Sequence, residues 1–280
     1  MVPIIVIAQN EIWKPVPAIL KQRTASSGGG GTAYWTDPYA ANLKLLYRFD
    51  TTPTNGLGLI DDTATANLYD GWPQPNYATG PAWTNVSGQG WYVFDEGDDY
   101  IKTNSITGWW NTGNYTAAVW INWKDVIQTA TPGYNTIVAV CDTAGNHLWA
   151  LRISLVSSTN YDLTVVSYET AYAYVVYSLG TSKSGITNVW HHVAATKSGT
   201  LCSLYYDGAL VQTGTTKNVV SQTQTAIGKR PDTAAQMWEG SIDDVRLYTN
   251  AHTAAAIATL YTNTGGTVVN SHGNQLWEAP

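Results

Sequence analysis

Charge is scarce in this sequence, cysteine and phenylalanine more so, and each shortage closes off a class of protein. Charged residues make up 12% of the 280, and 14 Lys and Arg against 20 Asp and Glu leave a formal net charge of -6. The basic residues are scattered rather than clustered, so the electrostatic footprint that DNA or RNA requires is missing and no nucleic acid partner is expected. With only Cys141 and Cys202, neither a disulfide framework nor a Cys-based zinc site is available. Both cysteines fall in strand-like runs and read as buried free thiols. No segment approaches the ~20 apolar residues of a membrane span. The opening MVPIIVIAQNEIW is apolar but lacks a basic leader and a small-residue cleavage site. The expectation is a chain made in the cytoplasm without a signal peptide.

What the chain does have is rings with a polar tip: 13 Trp and 18 Tyr stand against 2 Phe. Such rings suit half-buried sheet faces, and equally suit sugar-stacking platforms and protein interfaces. The stretch YDGWPQPNYATGPAWTNVSGQGW, Tyr69 to Trp91, reads as a loop stiffened by proline, with Trp72, Tyr77, Trp83 and Trp91 available to a glycan or a partner. TGWWNTGNY, with Trp109 and Trp110, forms a second such patch.

Three regions follow from the punctuation. Residues 1–31 form an N-terminal arm, a β-prone run and prolines ending in four consecutive glycines, Gly28 to Gly31, which hold no regular element. An arm without a core of its own needs a surface: its own domain, a second copy or another protein subunit. Residues 32–264 carry many short β-like runs separated by Gly, Asn, Asp and Ser clusters, which predicts an all-β sandwich. Within it, Asp207-Gly208 between two β runs predicts a type I′ hairpin of firm register. His191 and His192, adjacent on a strand, point to opposite faces and cannot grip one metal; His192 is expected beside the sheet core. TNAHTAAAIATLYTN predicts one short helix capped by Thr253, with Ile257, Leu260 and Tyr261 on its buried face. Residues 265–280 are a glycine-led tail.

The acidic stretch WEGSIDDVRLY tests for catalysis. Glu239 and Asp243 would lie about 13 Å apart on one strand at ~3.3 Å per residue, whereas glycosidase carboxyls sit ~5 to 9.5 Å apart. Glu96 and Asp98 would stand at about 6.6 Å if extended, but Gly97 argues for a turn. Asp244 and Arg246 share parity and are expected to form a structural ion pair near the sandwich rim. Ile242 and Val245 both look core-facing though their parity differs, which predicts a bulge at Asp243-Asp244. A calcium ion is the alternative use of these acids, with Asp61, Asp62, Asp70 and Asp243 as its oxygen ligands. No Gly-x-Ser-x-Gly elbow or phosphate loop is present, so no enzyme is expected.

The ordered landmarks LLYRFD, GWYVFDEGDDYIKT, YTAAVWINW, VWHHVAATKSGTLCSLYYDGALV and IGKRPDTAAQMWEGSIDDVRLYTNAHTAAAIATLY resemble the laminin G-like, concanavalin A-like lectin and glucanase jelly-roll modules over about residues 41–264. The resemblance implies a two-sheet antiparallel jelly roll with one short C-terminal helix. Glu96 departs from the Gly that the family often has after Phe-Asp, and Ser241 breaks the Glu-x-Asp-x-x-Glu pattern of the β-glucanases that share this superfold. Family membership alone does not fix function. Two functions fit: a structural and adhesion protein of a multi-subunit particle, a virion component held by its arm, and a glycan-binding lectin-like module with or without calcium.

Overall fold

The structure, a computed structural model, describes residues 20–22, 37–49, 71–75, 79–86, 89–95, 97–103, 113–124, 133–142, 147–157, 160–168, 171–181, 185–218, 224–231, 236–264 and 267–269. Its strands are β1 (Leu20–Gln22), β2 (Leu43–Tyr47), β3 (Gly71–Gln74), β4 (Ala82–Val86), β5 (Gln89–Asp95), β6 (Tyr100–Thr103), β7 (Asn114–Trp123), β8 (Gly133–Cys141) and β9 (His147–Ser157). They continue as β10 (Asn160–Tyr168), β11 (Tyr172–Gly180), β12 (Trp190–Ser198), β13 (Leu201–Tyr206), β14 (Ala209–Thr215), β15 (Gln224–Ile227) and β16 (Glu239–Tyr248), followed by α1 (Ala254–Thr264) and β17 (Thr267–Val269).

Two antiparallel sheets make a sandwich, the jelly-roll architecture expected from the sequence. One has seven strands in the order β11-β10-β9-β8-β15-β6-β3. The other has eight, ordered β14-β13-β12-β7-β16-β5-β4 with β2 also on β16. A separate two-stranded ribbon joins β1 to β17, with Lys21 opposite Val268.

Alternation in the strands fixes which side chains meet between the sheets. In the seven-stranded sheet Ile101, Ile227, Val138, Leu151, Val165 and Val175 lie opposite one another in register, and all belong to the buried core. The other sheet answers with residues that include Tyr92, Phe94, Ile121, Val193, Leu204, Ile242 and Leu247. Each fully buried Val, Leu or Ile contributes roughly 1.5–3 kcal/mol relative to exposure. Asn135 ties a polar seam through this core, accepting from Trp123 Nε1 at 2.9 Å and donating to the Met237 carbonyl at 2.6 Å. Cys141 and Cys202 are both buried and are not joined in a disulfide.

α1 covers the far face of the eight-stranded sheet, where Ile257 and Leu260 pack with Ala118, Ala194, Tyr205 and Tyr248. Thr253 caps it, its Oγ1 accepting from the Ala256 amide at 3.3 Å.

Three local features differ from the sequence reading. The Tyr69–Trp91 segment is not one loop: it contributes β3, β4 and the start of β5, and Pro73 is tolerated within β3 because that is the last strand of its sheet. The Asp207-Gly208 hairpin forms with φ of 49° and 79°, as a type I′ turn needs, but its register shifts between Leu204 and Tyr205, where an extra residue enters β14. His192 shares its parity with Ala194 and faces the α1 side, its ring tilted against those of Trp120 and Tyr261, whereas His191 takes the parity of core-facing Val193. His191 is held at both nitrogens, by Asp207 Oδ2 and the Gly185 carbonyl, each at 2.8 Å.

Candidate functional site

The register that builds the core also fixes the outward face of the seven-stranded sheet. Trp72, Lys102, Ala226, Ala139, Ala150, Val166 and Tyr174 are direct cross-strand neighbours, one from each strand, so they form a continuous outer row. Its centre is a floor of small side chains, Ala226, Ala139, Ala150 and Val166, and its ends are aromatic. The next row places Thr136, Arg152, Thr164 and Val176 side by side.

At one end the edge strand β11 alternates Tyr172, Tyr174 and Val176 outward, and these are exposed by 49%, 49% and 39%. Tyr172 and Tyr174 stack with centroids 5.9 Å apart and planes 20° from parallel, and Tyr168 on β10 meets Tyr172 at 4.8 Å. Arg152 extends this ladder, its guanidinium carbon 3.8 Å from the Tyr134 ring and 6.0 Å from that of Tyr174. At the far end Lys229 lies 4.4 Å over the ring of Tyr100. The face therefore carries rings and cations at its two ends, with a buried floor of small residues between them.

Burial lowers the Arg152 pKa, and the neighbouring Arg230 guanidinium lowers it further while the Tyr134 and Tyr174 hydroxyls act against the shift. Asp162, on the same face, is raised chiefly by burial and bonds to Ser178.

The acids fall elsewhere. Asp95, Asp98 and Asp99 bring carboxylate oxygens within 4.8 Å of one another in the turn between β5 and β6. Asp95 Oδ1 accepts from the Gly97 amide at 2.9 Å and Asp99 Oδ2 from the Asp95 amide at 3.0 Å. Burial, reinforced by Asp95, pushes the Asp99 pKa up to about 7, and its Oδ1 has no hydrogen-bond partner. The separation approaches the ~5 to 5.5 Å of retaining glycosidases, but those carboxyls flank a scissile bond. Here all three belong to one turn and two of them hold its amides.

Asp244 and Arg246 lie at the bulge in β16, where Asp244 has φ of 51° and the register on β7 shifts between Asp243 and Arg246. Arg246 donates Nε and Nη2 to the two Asp244 oxygens, each at 3.1 Å, and Nη1 to Asp37 Oδ2 at 2.6 Å. Tyr248 donates to the same Asp37 oxygen at 2.6 Å. The group is almost wholly buried, not at an exposed rim. Burial opposes the Arg246 charge, yet Asp244 and its neighbours hold its pKa above the usual value. Asp243 is buried beside them, its Oδ1 accepting from the Asp244 amide at 2.6 Å. Asp61, Asp62 and Asp70 lie outside the described residues, so the four-ligand calcium set is not assembled within them.

Of the aromatic candidates, Tyr77, Trp109 and Trp110 also lie outside the described residues. Trp72 stands on the outer row of the seven-stranded sheet. Trp83 belongs to the other sheet, half-buried against the core, its Nε1 donating to the Phe49 carbonyl at 2.8 Å. Trp91 meets Trp190 edge-on at 5.9 Å. Sequence reasoning passed over Tyr168, Tyr172, Tyr174, Tyr134 and Arg152. Its available signal was the i, i+2 tyrosine spacing in YETAYAYVVY.

Among the solved structures that the chain resembles are two toxin binding domains and one domain of an arabinanase. The receptor-binding domain of the botulinum neurotoxin C/D mosaic serotype superposes with a TM-score of 0.61 at 16% identity, over 80% of this chain and 51% of that one. The binding domain of Paraclostridial Mosquitocidal Protein 1 gives 0.59 at 14%, over 80% and 52%. Domain 4 of AbnA, an extracellular arabinanase from Geobacillus stearothermophilus solved in complex with arabinotriose, gives 0.56 at 19%, over 79% and 98%. The chain thus spans about half the length of the two toxin domains and nearly all of the arabinanase domain. These identities establish a shared fold. A comparison with the curated proteins finds no sequence match. Residues 95–258 match the laminin G-type family described as the concanavalin A-like lectin/glucanases superfamily, and the chain belongs to that family.

Proposed function

We propose that this protein is a non-enzymatic binding module that takes a glycan chain across the outer face of its seven-stranded sheet. The observation that carries the reading is the exposed, stacked pair Tyr172 and Tyr174 at the edge of that face, continued by Tyr168 on one side and by Arg152 over Tyr134 on the other. Exposed parallel rings on a stiff strand present a pre-formed surface to the apolar face of a sugar, so little side-chain entropy is lost on binding. The floor residues Ala226, Ala139, Ala150 and Val166 are themselves buried, so contact with a glycan falls to the rings at the two ends of the face, Tyr172 and Tyr174 at one and Trp72 and Tyr100 at the other. The arabinanase domain with its bound arabinotriose supports a sugar ligand on this fold. A glycan array with the full chain tests this: wild type binds, and Tyr172→Ala and Tyr174→Ala lose binding while keeping their melting temperature. An array with no binder, with and without calcium, removes the reading.

A second reading places this module on a multi-subunit particle, a virion, anchored through residues 1–31. In its favour, the described part of the arm, β1, pairs with β17 and, among the described residues, with no strand of either sandwich sheet. Sedimentation of a chain lacking residues 1–31 tests it: attachment to the particle is lost while the module stays folded. A truncated chain that still assembles ends this reading.

A further inference from the structure

We propose that the glycan bound here is acidic, with a sugar carboxylate held by Arg152 while the adjoining ring lies on Tyr172 and Tyr174. The inference rests on the glycan-face reading and adds the charge of the ligand. Arg152 is only 5% exposed, yet no salt bridge to it occurs among the described residues. Its Nε is buried without an acceptor, and its near contacts are the π faces of Tyr134 and Tyr174.

A ring face attracts a cation but accepts no N–H bond as an oxygen does, so among the described residues the guanidinium keeps its Nε hydrogen unanswered. A buried charge in that state is unfavourable, and the Arg230 guanidinium nearby adds repulsion instead of relief. Asp162, the acid on this face, lies in the row beyond and bonds to Ser178. An incoming carboxylate answers both deficits, because its two oxygens match the guanidinium fork. Arg246 supplies the contrast within the same molecule: it is equally buried, and two aspartates satisfy it.

The sugar, not an acidic peptide, is favoured by the rings beside the cation: Tyr174 is both a member of the exposed stack and a neighbour of the guanidinium. A net charge of -6 gives no general attraction for polyanions, so any preference for an acidic glycan has to arise locally.

The test is calorimetric titration of the full chain at physiological salt with an oligogalacturonate, its methyl ester, a neutral arabinan oligomer and sulfated dextran, repeated with Arg152→Gln and Arg152→Lys. Melting curves establish that the variants are folded. The expected result is that wild type prefers the free acid over its ester by about tenfold or more. Arg152→Gln then brings the acid down to the level of the ester without weakening the ester, and Arg152→Lys restores part of the difference. Equal binding of acid and ester overturns the acidic inference while leaving the tyrosine platform standing. Sulfated dextran bound as tightly as the galacturonate, with no response to Arg152, overturns it as general polyanion binding. If wild type binds none of the sugars, acidic or neutral, the glycan-face reading falls and the inference with it.

Discussion

Arg246 grips Asp244 with two arms, both 3.1 Å long, at a place where the two side chains are only 3% and 1% exposed. Removing Asp244 leaves the buried guanidinium with Asp37 as its remaining carboxylate, which costs about 3 kcal/mol, at the low end for a broken buried pair. Asp244→Ala is therefore expected to lower the melting temperature by roughly 6–12 °C, at about 2–4 °C per kcal/mol for a domain of this size. Asp37→Ala, which leaves the Asp244 arms in place, should cost less. Thermal unfolding followed by circular dichroism checks both, and an unchanged transition in Asp244→Ala would mean that the pair adds nothing net to stability.

Two buried groups give pH dependences of opposite sign over nearly the same window. The Asp99 pKa is raised from 3.8 to about 7, so the folded state binds this proton more tightly; its contribution is full below pH 4 and is lost as pH rises through 7. The His252 pKa is lowered by burial from 6.5 to about 4, so its contribution is full above 6.5 and is lost as pH falls through 4. The expectation concerns differences from wild type. Asp99→Asn gains stability relative to wild type as pH rises from 4 to 8, and His252→Gln gains as pH falls from 7 to 4. Melting temperatures across that range decide it: a difference that does not vary with pH removes the assignment for that residue.

Short-range patterns were legible in the sequence and long-range partnerships were not. The bulge at Asp243-Asp244 could be read from the conflicting parity of Ile242 and Val245, and Thr253 announced the helix start because capping is a local matter. Asp37, by contrast, reaches Arg246 across 209 residues, and nothing near either one in sequence signals the contact. The proposed glycan face was missed for the same reason. Trp72, Trp83 and Trp91 attracted notice by clustering in sequence, yet Trp72 and Trp83 end on different sheets, while Tyr134, Arg152 and Tyr174 converge from three strands. A strand pattern says which residues share a face, but not which strands lie beside it.

That separation predicts different phenotypes for Trp72 and Trp83, eleven residues apart in sequence but on different sheets. Trp83 donates to the Phe49 carbonyl and stands over Gly90, where an added Cβ would lie 2.8 Å from its Nε1 and 1.9 Å from the Phe49 oxygen. Trp83→Ala is expected to destabilise by about 3–5 kcal/mol, as large aromatic truncations do. Trp72→Ala is expected to leave the melting temperature near that of wild type and to weaken glycan binding severalfold. Parallel melting and binding measurements separate the two, and a Trp83 variant that melts normally but fails to bind would put the glycan on the other sheet.

Removing residues 1–31 distinguishes the module from its tether. β1 contributes three residues, all paired with β17, and both sandwich sheets are complete without either strand. The core positions, the buried Arg246 group and the tyrosine ladder all belong to residues from Asp37 onward. The truncated chain should therefore unfold in a single cooperative transition close to that of the full chain and bind glycan with the same affinity. What should change is anything that depends on the arm: hydrogen exchange at residues 267–269 speeds up as β17 loses its partner, and sedimentation shows loss of whatever assembly the full chain forms. If the truncated chain melts far below the full one, the arm is part of the fold and not a tether, and the particle reading loses its physical basis.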